Sequence, residues 1–291
     1  MEYVILDTEW NNSFFKLHGK YVNEIIEIGA VKLDENLNLI SQFKSVICSQ
    51  LTDKLSKRFS DLTNITNEEM SEGIPFEIAL QQYSDWVGDD AITLTWSDSD
   101  LYVLIENCRL FADCETIPCI SNYIDLQKFV QNELTLHGHK IKSQISLSNA
   151  AAMLELSTEG IELHRAIDDS RLSAEILQKT FNKERLHSLI VDTLKPDFYE
   201  RLTYKPYIIS DIESPLIDKS KMHFLCENCN RIAERTTPWD FKYNNFRAEF
   251  RCKKCGLSFI GKIFYKKMYD YVSVKHYKSP KINHERSSIQ S

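Results

Sequence analysis

Asp7-Thr8-Glu9 closes the first apolar run of the chain, Tyr3-Val4-Ile5-Leu6. Read as a buried strand, the run sends alternate side chains to opposite faces. Asp7 and Glu9 then share a face, roughly 7 Å apart along the chain. Two adjacent carboxylates repel each other and are costly to desolvate unless a cation lies between them. Hard divalent cations take carboxylate oxygens, and pairs of such ions stabilise both oxygens in phosphodiester cleavage. Two later segments carry matching chemistry. Thr95-Trp96-Ser97-Asp98-Ser99-Asp100 follows a strand and opens a helix, a usual place for a ligand in an open α/β sheet. His164-Arg165-Ala166-Ile167-Asp168-Asp169 enters a long helix. There a carboxylate can hold an ion while an imidazole removes a proton from water. Each feature alone has an ordinary reading: solvated strand-end acids, acids at a helix N-terminus, a structural histidine.

A second constellation lies near the C-terminus. Cys226-Glu227-Asn228-Cys229 and Cys252-Lys253-Lys254-Cys255 form two C-x-x-C pairs separated by 22 residues. Four thiolates in two such knuckles give the closed tetrahedral site of structural zinc. The gap slightly exceeds the ~15–20 residues usual for a zinc ribbon. Cys48, Cys108, Cys114 and Cys119 have no paired spacing and read as reduced thiols.

The elements that must position these groups follow from periodicity. Residues 3–7, 24–33 and 38–47 read as strands, with a hairpin turn at Asp34-Glu35-Asn36. Asn67–Met70 predicts a short helix capped by Thr66 or Asn67. Pro75 opens an amphipathic helix through Phe76, Ala79, Leu80, Tyr83 and Trp86. Ala91–Trp96 predicts a strand, followed by a helix through Leu101, Leu104 and Ile105. Tyr123–Leu126 predicts a strand and then a helix to about Leu134. Helices are expected over Leu147–Leu156, capped by Ser146, and over Ala166–Phe181. Three strands followed by alternating helices and strands indicate an α/β sheet of mixed pairing.

The 291 residues suit two domains, and 43% hydrophobic with 26% charged residues is an ordinary globular balance. No apolar run approaches the ~18 residues that would span a bilayer, and no signal peptide is read, so a cytoplasmic protein without membrane association is expected. The net charge of −7 is unevenly spread. Residues 1–218 carry 36 acidic and 19 basic side chains, whereas residues 219–291 carry 6 acidic and 16 basic. An acidic front suits metal ions and a basic back suits a polyanion.

In order and spacing the first motifs resemble the 3′→5′ exonucleases of the DEDD type that use a catalytic histidine, on the ribonuclease H-like fold. Asp7-Thr8-Glu9 resembles the family's D-x-E, and Glu24–Val31 resembles its second strand. Leu62-Thr63-Asn64-Ile65-Thr66 resembles L-T-G-I-T. Trp96–Asp100 resembles W-G-x-x-D, which selects Asp100 over Asp98. His164–Asp169 resembles H-x-A-x-x-D, which selects Asp169 over Asp168. The resemblance covers about residues 1–182, with Asn64 and Ser97 where glycine is usual and Ser170 where alanine is usual.

The resemblance implies a mixed five-stranded sheet flanked by helices. It implies two Mg²⁺ or Mn²⁺ ions held by Asp7, Glu9, Asp100 and Asp169, with His164 as general base. It also implies release of nucleoside 5′-monophosphates from single-stranded nucleic acid or 3′ overhangs, RNA slightly ahead of DNA. By analogy the backbone near Glu9 and Trp10 and the side chains of Thr63 and Ile65 hold the terminal nucleotide. A catalytically inactive nucleic-acid-binding or assembly protein on the same fold is the alternative.

The expected organisation is an exonuclease domain over residues 1–192, a linker over 193–221 packed along it, a small β-rich zinc ribbon over 222–278, and a disordered tail over 279–291. In the ribbon, strands are expected around Phe241–Phe250, with a hairpin over Phe259–Tyr265 and Tyr269–Lys275. Arg251, Lys253 and Lys254 are its candidate strand-binding cations. The aromatics Phe246, Phe250, Phe264 and Tyr265 are read either as stacking platforms or as the ribbon's own core. The ribbon is also a candidate surface for a protein partner.

Overall fold

The computed structural model describes residues 1–160 and 163–281. The chain divides into two units, Met1–Leu202 and Thr203–Ser291. In the first, β1 (Glu2–Phe15), β2 (Lys20–Leu33) and β3 (Leu39–Val46) form an antiparallel meander. Three helices follow, α1 (Lys57–Thr63), α2 (Asn67–Ser71) and α3 (Phe76–Val87). Ser56 caps α1 and Thr66 caps α2, each accepting a backbone N–H three residues on.

Then β4 (Ala91–Thr95) pairs parallel to β1, and α4 (Ser99–Phe111) leads to β5 (Asn122–Asp125), parallel to β4. Next come α5 (Leu126–Leu136), α6 (Leu147–Met153), α7 (Ala166–Thr180) and α8 (Lys183–His187). β6 (Val191–Asp192) closes the sheet, antiparallel to β5, and α9 (Phe198–Thr203) follows. The sheet order is β3-β2-β1-β4-β5-β6. The expected five strands are thus joined by a sixth of two residues, too short for any periodicity to reveal.

Alternation along β1 assigns the two faces. Tyr3 and Ile5 enter one core with Leu94, Ile124, Phe129, Leu172 and Ile176. Val4 and Leu6 enter the other with Ile28, Phe76, Leu80, Leu101 and Leu104. A bulge between Glu9 and Trp10 leaves Ile26 opposite no β1 residue, and Ile26 fills a small cluster with Leu55, Phe59, Ile65 and Met70.

The β1–β2 hairpin is longer than expected because Asn11 and Ser13 face inward. Asn11 Nδ2 donates to Ser13 Oγ at 3.0 Å, and Ser13 Oγ donates to the buried Glu24 carboxylate at 2.7 Å. Paired polar groups replace the apolar face that a strand pattern normally shows.

Residues 193–221 are not a uniform linker. The first part joins unit 1: Thr193 N–H donates to Ser121 O at 3.1 Å, and Tyr199 is buried in the second core. The rest joins unit 2, where β7 (Tyr207–Ile208) pairs with a later strand at Lys266 and Lys267, and Ile209 and Ile217 are core residues. The remaining strands of unit 2 are β8 (Phe224–Leu225), β9 (Ile232–Arg235), β10 (Asp240–Lys242), β11 (Asn245–Arg251), β12 (Ser258–Lys267) and β13 (Val272–Pro280). Their main path is β13-β12-β11-β9-β8. The expected tail from residue 279 begins inside β13. Residues 282–291 lie outside the described residues. Among the described residues no helix is long and apolar enough to cross a membrane.

Candidate active site

Parallel pairing of β1 with β4 ends at Leu6 and Thr95. Past that point β1 continues alone on this edge, so Asp7 and Glu9 lie just beyond the end of the parallel pairing, where open α/β sheets take their ligands. By the alternation of β1, both carboxylates share the face of Tyr3 and Ile5, where α7 packs.

Asp100, in the first turn of α4, is 4% exposed. Its Oδ1 accepts from both the backbone N–H and the hydroxyl of Thr8, each at 2.9 Å, which fixes the rotation of the carboxylate. Asp169, in the first turn of α7, accepts the His164 backbone N–H on Oδ2 at 3.1 Å. Its Oδ1 is buried with no partner among the described residues. Glu9, His164 and Asp169 each offer one ligand atom, all within 4.8 Å of one another. His164 is exposed and holds φ +67°, a region uncommon for residues other than glycine.

Crowding is visible in the acidities. Burial, then the negative fields of Asp100, Glu9 and Asp169, raises Asp7 well above the usual carboxylate range. Burial, then the fields of Asp169, Asp100 and Glu27, push Glu9 up to about 9. Burial lifts Asp100 to about 7 against the opposing Thr8 bonds, and it also raises Asp169. Four carboxylates that resist ionisation together, one with an orphaned buried oxygen, fit a divalent-cation donor set. Asp98 and Asp168 lie apart from this cluster. Asp98 is the residue preceding α4 and lines a separate depression with Tyr123 and Asp125. Asp168 forms an ion pair with Arg171 at 2.8 Å.

A profile of the RNase T exonuclease family matches residues 4–177. The chain belongs to that exonuclease family. ERI1 exoribonuclease 2 of Xenopus laevis is 26% identical over 202 residues, 61% of this chain and 28% of that protein. The PolC-type DNA polymerase III of Clostridium perfringens is 24% identical over 206 residues, 70% of this chain and 13% of that protein. The exonuclease chain therefore spans under a third of these relatives' lengths. A solved nuclease domain of 3′hExo, a DEDDh family member bound to rAMP, superposes with TM-score 0.53 at 23% identity. That superposition covers 61% of this chain and 90% of that one; the likeness is one of fold.

The exonuclease unit relies on groups that the motifs alone did not expose. Glu27, fully buried and opposite Glu9 across the hairpin, accepts from Arg165 Nη2 at 2.7 Å, Arg165 Nε at 3.2 Å and the Ala166 N–H at 2.9 Å. Arg165 also bonds Glu69 at 2.7 Å. This network fastens the start of α7, and with it Asp169, to β2. The signal was a charged residue inside the apolar run Ile25–Val31. Gly29 lets α7 approach: a Cβ there would lie 2.2 Å from the Ala166 carbonyl carbon and from Ile167 N.

The three departures from the family pattern have local reasons. Asn64 caps α1 in the left-handed region at φ 58°, where asparagine is tolerated nearly as well as glycine. Ser97 holds φ 79° and its hydroxyl meets that of Ser99 at 2.6 Å. Ser170 donates to Gly29 O at 2.9 Å, adding a bond where alanine has none.

The expected nucleotide contacts are placed differently. Trp10 is half-buried against the second core. Thr63 and Ile65 are fully buried; Thr63 Oγ1 donates to Phe59 O at 3.0 Å and accepts from Ile65 N–H at 3.2 Å. Their side chains therefore support the α1–α2 corner and offer no surface to a ligand. In unit 2, Arg251, Lys253 and Lys254 are exposed beside the second cysteine knuckle, and Lys253 pairs with Glu234 at 3.0 Å.

The four knuckle cysteines converge. Sγ separations are 3.3 Å for Cys226–Cys255, 3.3 Å for Cys229–Cys252 and 4.0 Å for Cys229–Cys255. A tetrahedron with ~2.3 Å zinc–sulfur bonds has edges of roughly 3.8 Å, so the donor set fits zinc. All eight cysteines are free thiols.

Proposed function

We propose that the chain is a metal-dependent 3′→5′ exonuclease acting on single-stranded nucleic acid or 3′ overhangs, RNA ahead of DNA, and releasing nucleoside 5′-monophosphates. What supports this reading is that Asp7 of β1 lies in the negative fields of Asp100, Glu9 and Asp169, and that Glu9, Asp169 and the exposed His164 offer ligand atoms within 4.8 Å of one another. The preference for RNA draws on the exoribonuclease relative and the rAMP-bound neighbour.

In this reading Asp7, Glu9, Asp100 and Asp169 hold two divalent ions, Mg²⁺ or Mn²⁺. When bound, these supply charge neutralisation at the phosphate and an acidified water. The protein's own groups do the positioning. Thr8 locks one oxygen of Asp100, and the His164 backbone N–H locks one oxygen of Asp169. Rigid donors lower the reorganisation needed at the reacting phosphate. His164, exposed and within ligand distance of Glu9 and Asp169, accepts the proton of the attacking water and returns it to solvent. The β1 backbone beside Glu9 and Trp10 is the proposed support for the terminal nucleotide. Cys226, Cys229, Cys252 and Cys255 hold one structural zinc, which would supply much of the folding energy of a small β unit.

The test is polarity. Full-length protein with Mn²⁺ is given the same RNA labelled at its 5′ or its 3′ end. The 5′ label should yield a ladder shortening one nucleotide at a time, and the 3′ label should appear at once as mononucleotide. A folded, metal-loaded protein that degrades neither RNA nor DNA would instead identify a binding or assembly protein on this fold.

A further inference from the structure

In unit 2 the alternation of three neighbouring strands separates two faces. Phe246, Ala248 and Phe250 of β11 and Gly261, Ile263 and Tyr265 of β12 are buried inward. The residues between them face the other way. Register then fixes the rows of that outer face. Arg247 opposes Lys262, which opposes Tyr277, and Phe264 opposes Lys275 in the next outward row. Tyr243, Asn245, Lys262, Phe264, Lys275 and Tyr277 line a shallow depression of about 550 Å³ there.

Three features mark this face as built for a ligand. First, its cations are unspent. Among the described residues no carboxylate pairs with Arg247, Lys262, Lys266 or Lys275, whereas Lys253, Lys278 and Lys281 pair with Glu234, Glu227 and Glu249. Second, large rings are left in solvent beside those cations: Tyr277 is 49% and Tyr243 78% exposed. Third, Asn245 Oδ1 and Arg247 Nε, an acceptor and a donor, are buried without partners. Buried polar groups without partners are uncommon and costly. Cations that track phosphates and rings that stack on bases together describe single-strand recognition. A duplex keeps its bases stacked on one another and gives such rings nothing to hold.

We propose that the outer face of β11–β12–β13 binds single-stranded nucleic acid, through Arg247, Lys262 and Lys275 to phosphates and Phe264 and Tyr277 to bases. The proposal deepens the exonuclease reading, resting on its single-strand substrate, and moves the contact away from the knuckle residues Arg251, Lys253 and Lys254.

The test uses full-length Asp169→Asn protein without added Mg²⁺ or Mn²⁺, so that the probe survives, and fluorescence anisotropy with a 5′-labelled 20-nucleotide oligouridylate. The variant pair Lys262→Glu/Lys275→Glu should lower affinity at least tenfold and flatten the salt dependence by about 1.4 in logarithmic slope. Phe264→Ala/Tyr277→Ala should lower affinity about 30-fold or more with the slope unchanged. Lys253→Glu/Lys254→Glu should stay within twofold of the parent. Zinc content and Tm check that each variant is folded. Outer-face variants that bind like the parent would overturn the proposal. So would a knuckle variant that weakens binding equally, duplex bound as well as single strand, or polyglutamate competing as well as RNA. Cleavage is scored separately in the Asp169 protein. Strand binding without cleavage leaves this proposal standing and removes the exonuclease reading, and cleavage with unaffected outer-face variants does the reverse.

Discussion

Replacing Gly29 by alanine tests how the site is held together. The new methyl would lie 2.2 Å from two backbone atoms at the start of α7 and 2.6 Å from Ala166 O. Relief to an ordinary contact of ~3.4 Å needs about 1.2 Å of movement, and both obstacles are backbone, so α7 must shift as a body. Asp169 sits in the first turn of α7, and His164 bonds it from just upstream. A misplacement of about 1 Å costs on the order of 10² in rate. Overpacking of this kind costs about 1–3 kcal/mol, equivalent to roughly 2–12 °C in Tm for a unit of this size. The assay is kcat on a 5′-labelled single strand at saturating Mn²⁺, with Tm measured on the same samples. Ser170→Ala is the companion variant: it deletes the hydroxyl bond to Gly29 O without adding volume and should change kcat less than about fivefold. A folded Gly29→Ala protein with wild-type kcat would refute the claim that this close approach sets the geometry of Asp169.

Glu27→Gln removes the charge that Arg165 and the α7 N-terminus share. Stability should fall by about 3–5 kcal/mol, as when one partner of a buried pair is lost, and a loss below about 1 kcal/mol in urea denaturation would contradict the network. Ser97→Gly should raise stability by about 0.5–1 kcal/mol, because φ 79° is strained for serine and free for glycine; a clear decrease in Tm would contradict it. Asp100 at about 7 and Glu9 at about 9 lie above their unfolded values, so between those limits the metal-free folded chain holds more protons than the unfolded one. Its stability should therefore fall as pH rises from ~4 toward 7 and 9, by about 1.4 kcal/mol per pH unit for each such proton. Divalent ions bind the ionised carboxylates, so the Tm gain from Mn²⁺ should be larger at pH 8 than at pH 5.5; a larger gain at pH 5.5 would contradict the site.

Much of the site was legible because its chemistry is carried by spacing. Counting from Trp96 and His164 selected Asp100 and Asp169, and both are among the four acids whose fields raise Asp7. The neighbouring Asp168 is spent on Arg171. The cysteine pairs were legible for the same reason. What stayed hidden depended on partners distant in sequence. Residues 8–15 did not read as strand because Asn11 and Ser13 point inward, and only Glu24 from the opposite strand makes that tolerable. Thr8 gave no hint that it would hold Asp100. Thr63 and Ile65 were expected by family analogy to hold the terminal nucleotide, yet Ile65 joins the cluster around Ile26, which a bulge turns toward it, and Thr63 bonds Phe59 and Ile65 beside it. In unit 2 the aromatics divide: Phe246, Phe250 and Tyr265 are core, while Phe264 faces outward, and only the register of β12 decides which. Residues 203–221 showed no periodicity because they enter their core through isolated contacts such as Ile209 and Ile217.

The most direct test of the carboxylate site is the release of nucleoside 5′-monophosphate from single-stranded RNA as Mn²⁺ or Mg²⁺ is titrated, in wild type and in Asp169→Asn. Release should rise from background with the ion in wild type and stay at background in the variant at every concentration. Release that persists when both ions are absent, or that survives undiminished in folded Asp169→Asn, would contradict the account.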